Sequence, residues 1–113
     1  MKYVRLKDGI IEKSKIKFLA DGKVELTDGH GSWQIDNLQI IKESDSIDKL
    51  CDLYYIVDKK YPQYNYLSKH VDVSLEDRYE YDIYAMIKTT DEHGTPIIKT
   101  VAKWNDRGEW ELL

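Results

Sequence analysis

The sequence predicts a β-rich α+β domain, and three observations carry that expectation. Short runs alternate apolar and polar side chains, Asp-Gly pairs punctuate them, and one stretch near residues 46–52 switches to helical spacing. Antiparallel hairpins and a meander, curling toward a partly open barrel, are expected around that one short helix. The 113 residues suit a single domain, 1–113, large enough for one core.

Taken in order, the first clear element is the hairpin KIKFLA-DG-KVELT. Ile16, Phe18 and Ala20 alternate with Lys15, Lys17 and Leu19, and Val24 and Leu26 alternate with Lys23, Glu25 and Thr27. That is the pattern of two strands with one buried face, joined where Asp and Gly accept turn geometry. After DGHGS, the runs SWQI and NLQII read as two more short strands ending by residue 41. At SDSIDKLCD, Ile47, Leu50 and Cys51 stand three or four apart behind Ser and Asp residues able to cap free amides, which predicts the helix. The β-branched and aromatic LYYIV predicts a strand leaving it near Leu53. Pro62 ends that element. Between Gln63 and Asp77 two alternatives stand, a loop with a short strand at HVDVSL or a helix starting at SLEDR. The last third reads as a three-stranded antiparallel meander, YEYDIYAMIKTT, IIKTVAKWN and EWELL, with turns at DEHGTP and DRG.

Composition limits function. No apolar run reaches the length needed to cross a bilayer, and the charged start MKYVRLKDG lacks the apolar segment of a signal peptide, so a cytoplasmic protein is expected. The single Cys51 leaves no intrachain disulfide and no thiolate metal cluster. The net charge of −4 opposes nonspecific nucleic-acid binding, although residues 1–30 hold seven of the 17 basic side chains against five of the 21 acidic ones. A local basic face is therefore a candidate there.

Catalytic chemistry is sparse. His30 and His93 lie in glycine turns and His70 stands apart, with no HxH or HxxxH spacing for a metal. Cys51 takes an inward position in the short helix, where it reads as a small buried hydrophobe and not as a nucleophile. Glu76, Asp77, Glu80, Asp82, Asp91 and Glu92 form polar runs, with no apolar setting that singles out an acid and a base. DGHGSW lacks the pattern of a phosphate loop. No enzyme activity, cofactor or metal is expected.

Five of the nine tyrosines fall between residues 54 and 66. Base stacking would need a positive groove around them, because phosphates supply most of the affinity. From Tyr54 to Tyr84 the chain instead carries Lys59, Lys60, Lys69 and Arg78 against Asp58, Asp72, Glu76, Asp77, Glu80 and Asp82. Packing inside a sheet is the first reading of these rings, and a protein-binding patch built on Tyr61, Tyr64 and Tyr66 is the second. Lys13, Lys15 and Lys17 alternate with Ser14 and Ile16 and are expected to project together from the first hairpin. They read as a solvent-side guard against edge pairing, or as phosphate contacts in the alternative in which this protein binds nucleic acid.

Read together, SIDKLCDLYYIV at 46–57 and TVAKWNDRGEWELL at 100–113, with the opening KDGIIEKSKIKF, resemble small proteins encoded by phages and prophages of Gram-positive, Firmicute-type bacteria. The resemblance implies a genomic setting and a bacterial host cytoplasm. It carries no site residues with it. The expected function is a noncatalytic accessory protein that binds another protein, itself or a host factor, without membrane or metal. An acidic inhibitor of a host nucleic-acid enzyme is a further alternative.

Overall fold

A computed structural model describes residues 2–27, 31–36 and 39–113. The chain forms two compact units, Met1–Leu50 and Cys51–Leu113. Antiparallel sheets dominate both. Among the described residues no helix is long and apolar enough to cross a membrane.

The first unit contains two three-stranded sheets. In one, β1 (Tyr3–Leu6) lies between β2 (Gly9–Glu12) and β6 (Ile40–Ser44). In the other, β4 (Lys23–Thr27) lies between β3 (Ile16–Phe18) and β5 (Ser32–Asp36). The second sheet follows the alternation in the sequence. Its register puts Ile16, Leu26 and Trp33 in one row and Phe18, Val24 and Ile35 in the next, all on one face. Val24 and Leu26, on the central strand, are buried, while Phe18 and Trp33 at the rims stay exposed. The connection is longer than a two-residue turn: Leu19 to Gly22 join the strands, Gly22 takes φ 72°, and the Leu19 amide donates to the Lys23 carbonyl at 2.9 Å.

Arg5 is a buried charge in this unit. Its Nε donates to the Leu6 carbonyl and its Nη1 to the Leu50 carbonyl, each at 2.9 Å. The guanidinium fork thus ties the central strand to the end of the unit, as a planar group with several fixed donors is suited to do.

The expected helix at 46–52 is a correction. Only Ile47–Lys49 form a single 3₁₀ turn, and Ser46 makes no side-chain cap bond. Helix nucleation is costly and repays its cost only over several turns, whereas the strand-forming LYYIV begins at Leu53 and leaves no room for them. One turn is enough to bury Ile47 and Leu50, which accounts for the spacing. Cys51 follows in a half-buried position. Among the described residues the helices are 3₁₀ turns only and no sheet closes into a barrel, so the β-rich antiparallel part of the expectation holds and its α part is not borne out.

The second unit is a five-stranded sheet in the order β11-β10-β9-β7-β8. Its strands are β7 (Leu53–Asp58), β8 (Asn65–Ser68), β9 (Tyr81–Thr90), β10 (Pro96–Trp104) and β11 (Trp110–Leu112). The expected meander is present as β9, β10 and β11, antiparallel throughout. Tyr79 is not on β9 but in the 3₁₀ turn Arg78–Glu80 that precedes it. Because β8 and β9 flank β7 on opposite sides, residues 69–80 must cross over the sheet to join them.

One face of this sheet holds the core. Tyr54 and Ile56 of β7, Ile83, Ala85 and Ile87 of β9, and Ala102 of β10 are all buried, with Tyr54, Ala85 and Ala102 in one row and Ile56 beside Ile83. Above them Tyr54 stacks on Trp110 at 6.0 Å, Trp110 meets Trp104 edge to face at 5.4 Å, and the Arg78 guanidinium lies 4.8 Å from the Trp104 ring. The Arg78 Nε and Trp104 Nε1 atoms are buried with no hydrogen-bonding partner among the described residues. Their stabilising contact is the cation against the aromatic face.

The loops β9–β10 and β10–β11 use one device twice. In DEHGT the Asp91 amide donates to the Thr95 carbonyl, and Asp91 Oδ1 accepts from the His93 and Thr95 amides. In NDRGE the Asn105 amide donates to the Glu109 carbonyl, and Asn105 Oδ1 accepts from the Arg107 and Glu109 amides. Each loop ends on a left-handed glycine, Gly94 at φ 81° and Gly108 at φ 75°. A short acceptor at the first position and glycine at the fourth are what a three-residue hairpin with a glycine bulge requires.

Candidate protein-binding site

The β7–β8 hairpin carries the three candidate tyrosines. Asp58 ends β7 and its Oδ1 accepts the Lys60 amide at 2.8 Å and the Tyr61 amide at 2.9 Å, which turns the chain out of the sheet. Tyr61, Pro62, Gln63 and Tyr64 then form a turn closed by the Tyr64 amide donating to the Tyr61 carbonyl at 2.9 Å. Proline sits at the second position, where its fixed φ is preorganised, and among the described residues only glycines have positive φ. Asn65 Nδ2 donates back to the Pro62 carbonyl at 3.0 Å, and the Asp58 amide donates to the Tyr64 carbonyl at 3.0 Å.

This scaffold holds the rings outward. Tyr61 and Tyr64, first and last residues of the turn, meet edge to face at 6.1 Å, with Lys60 Nζ 5.5 Å from the Tyr61 ring centre. Tyr66 follows on β8, opposite Ile56. The exposures are 46% for Tyr61, 67% for Tyr64, 43% for Tyr66 and 53% for the neighbouring Leu67. Partial burial holds the Tyr66 phenol above its ordinary value, and Asp72 and Tyr81 add to the rise. Tyr54, by contrast, is in the core, and Tyr55 and Tyr84 are half-buried on the reverse face, 6.2 Å apart. Packing and display therefore divide the tyrosines between them. Leu67 joins the exposed group without having been singled out from the sequence, because the strand that presents it lies in the segment whose pattern was ambiguous.

The lysines of the alternative site do not line one strand. Lys13 and Lys15 fall in a 3₁₀ turn, Lys13–Lys15, and only Lys17 is on β3, opposite Glu25. The strand cannot reach back to Lys13 because the Lys13 amide continues the β1–β2 pairing, donating to the Lys2 carbonyl at 2.9 Å. Lys13 Nζ bonds Glu43 Oε1 at 2.7 Å, with Lys2 3.7 Å from the same oxygen. The hydrogen bond from Lys13, with both lysine charges, holds the Glu43 carboxyl below its ordinary value.

The other candidates are placed as follows. His70 and His93 are exposed, and His30 lies outside the described residues. Asp91 is the acceptor that shapes its turn, Asp77 accepts from Ser74 Oγ at 2.9 Å, and Asp82 lies 3.9 Å from Lys103 Nζ. Among the described residues no three His, Cys, Asp or Glu side chains are grouped to hold a metal ion. Set against protein-family models, curated proteins and solved structures, the chain matches none of them.

Proposed function

We propose that this chain is a noncatalytic accessory protein of phage or prophage origin that works in the bacterial cytoplasm by binding another protein through the β7–β8 hairpin. The observation that carries the reading is the exposure of Tyr61, Tyr64 and Tyr66 together on one hairpin whose turn is locked by Pro62 and Asp58. Tyrosine anchors bury large area with few rotors, and a fixed turn lowers the cost of ordering them on binding. The reading is tested by replacing all three with alanine and comparing capture of partners with the thermal melt by circular dichroism. Capture should fall while the melt stays within a few degrees of wild type. Undiminished capture by the folded triple variant would overturn it. The nucleic-acid reading has weaker support, since Lys13 is held by Glu43 and the three lysines are not in one row.

A further inference from the structure

We infer that β8 is a self-pairing edge, through which two copies of this chain join their five-stranded sheets across a two-fold axis at Tyr66. The inference rests on the protein-binding reading of the same hairpin and names the partner.

Sheet edges offer unpaired amides and carbonyls, and natural proteins guard them with charge. Every other edge strand here is guarded: β2 has Glu12, β6 has Lys42 and Glu43, β3 has Lys17, β5 has Asp36 and β11 has Glu111. The β8 sequence, Asn-Tyr-Leu-Ser, has no charged residue. It is also the edge where exposed Tyr66 and Leu67 flank the backbone on its two faces.

The register identifies the open groups. The Asp58 amide donates to the Tyr64 carbonyl toward β8, and the Lys59 amide donates to the Glu80 carbonyl toward β9. Antiparallel alternation then turns Tyr66 and Ser68 toward β7, while the amides and carbonyls of Asn65 and Leu67 point away from the sheet. A two-fold axis at Tyr66 places Asn65 opposite the partner's Leu67 and Leu67 opposite the partner's Asn65, so the open groups of both strands satisfy one another. Tyr66 meets the partner's Tyr66 as a close pair on one face, where aromatic cross-strand pairs are stabilising. Lys69, just past the strand, falls opposite the partner's Gln63, so the pairing sets no like charges against each other. That is why a second copy suits this edge.

The test uses the whole chain in analytical ultracentrifugation over a range of concentrations. Wild type should show a reversible monomer–dimer equilibrium, and Leu67→Pro, which removes only an outward amide, should weaken it about tenfold or more. Should that variant fail to fold, Leu67→Lys takes its place, since a lysine there guards the edge and leaves the β7 ladder intact. In a Cys51→Ser background, Tyr66→Cys should form an intermolecular disulfide on mild oxidation, because close cross-strand pairs stand about 4.5 Å apart at Cα. Leu67→Cys, which faces asparagine across the axis, should not. A wild type that stays monomeric at all concentrations, a folded edge variant that dimerises as well as wild type, or equal cross-linking at both positions would overturn the inference. A monomer that still loses a different partner in the triple-tyrosine variant overturns self-pairing alone and leaves the protein-binding reading standing.

Discussion

Gly108 and Gly94 occupy the same place in sister turns, yet their surroundings differ. A methyl group at Gly94 meets nothing within 4 Å, whereas at Gly108 it would lie 3.0 Å from the Tyr79 hydroxyl. Both replacements by alanine carry the left-handed penalty of about 1–2 kcal/mol. Gly108→Ala should lower the melting temperature further than Gly94→Ala, by a small increment because Tyr79 is half-exposed and its hydroxyl can swing aside. Tyr79→Phe should recover that increment in a double-mutant comparison. At Glu43 the sign of the pH effect is settled by direction. Its folded value lies below the ordinary 4.5, so its contribution is complete above about 4.5 and is lost as pH falls through the lowered value. Wild type should therefore lose stability across that window more than Glu43→Gln does, as followed by thermal melts at a series of acid pH values.

Among the elements, β9 is the central strand of the larger sheet and Ile83, Ala85 and Ile87 are fully buried along it. Ile83→Ala should cost about 2–5 kcal/mol in denaturant unfolding, while exposed Ile98→Ala on β10 should stay within about 0.5 kcal/mol. The alternation of β9 was legible in the sequence because one face is uniformly apolar. In IIKTVAKWN simple alternation offers two faces, one through Ile98, Thr100, Ala102 and Trp104 and the other through their neighbours. Neither holds along the whole strand. The pairing shifts between Thr100 and Ala102, Val101 is the extra residue, and Val101 and Ala102 are buried in succession. A bulge exchanges the faces of a strand and leaves only a faint mark in its composition. The 3₁₀ turn at Ile47 was read as a helix for a related reason, since one apolar turn and the start of an amphipathic helix share their first two positions.

For the molecule as a whole, the antiparallel character and the β9–β10–β11 meander were legible because they follow from local patterns. β8 was not. Asn-Tyr-Leu-Ser is short, has no alternation to speak of, and becomes a strand only because β7 offers it a ladder. The candidate tyrosines could be counted in the sequence, but their division into buried Tyr54 and displayed Tyr61, Tyr64 and Tyr66 depends on that ladder.

The path from β8 to β9 also sets an order of assembly. β7 reaches β8 around a tight turn, whereas β9 arrives only after residues 69–80 have travelled back across the sheet. Closing the larger loop demands more chain entropy, so the two outer hairpins are expected to form early and the ladder between β7 and β9 to zip last. The most deeply packed seam of this unit is then the slowest to appear, and until it does the uncharged β8 edge is already on display to any neighbouring chain.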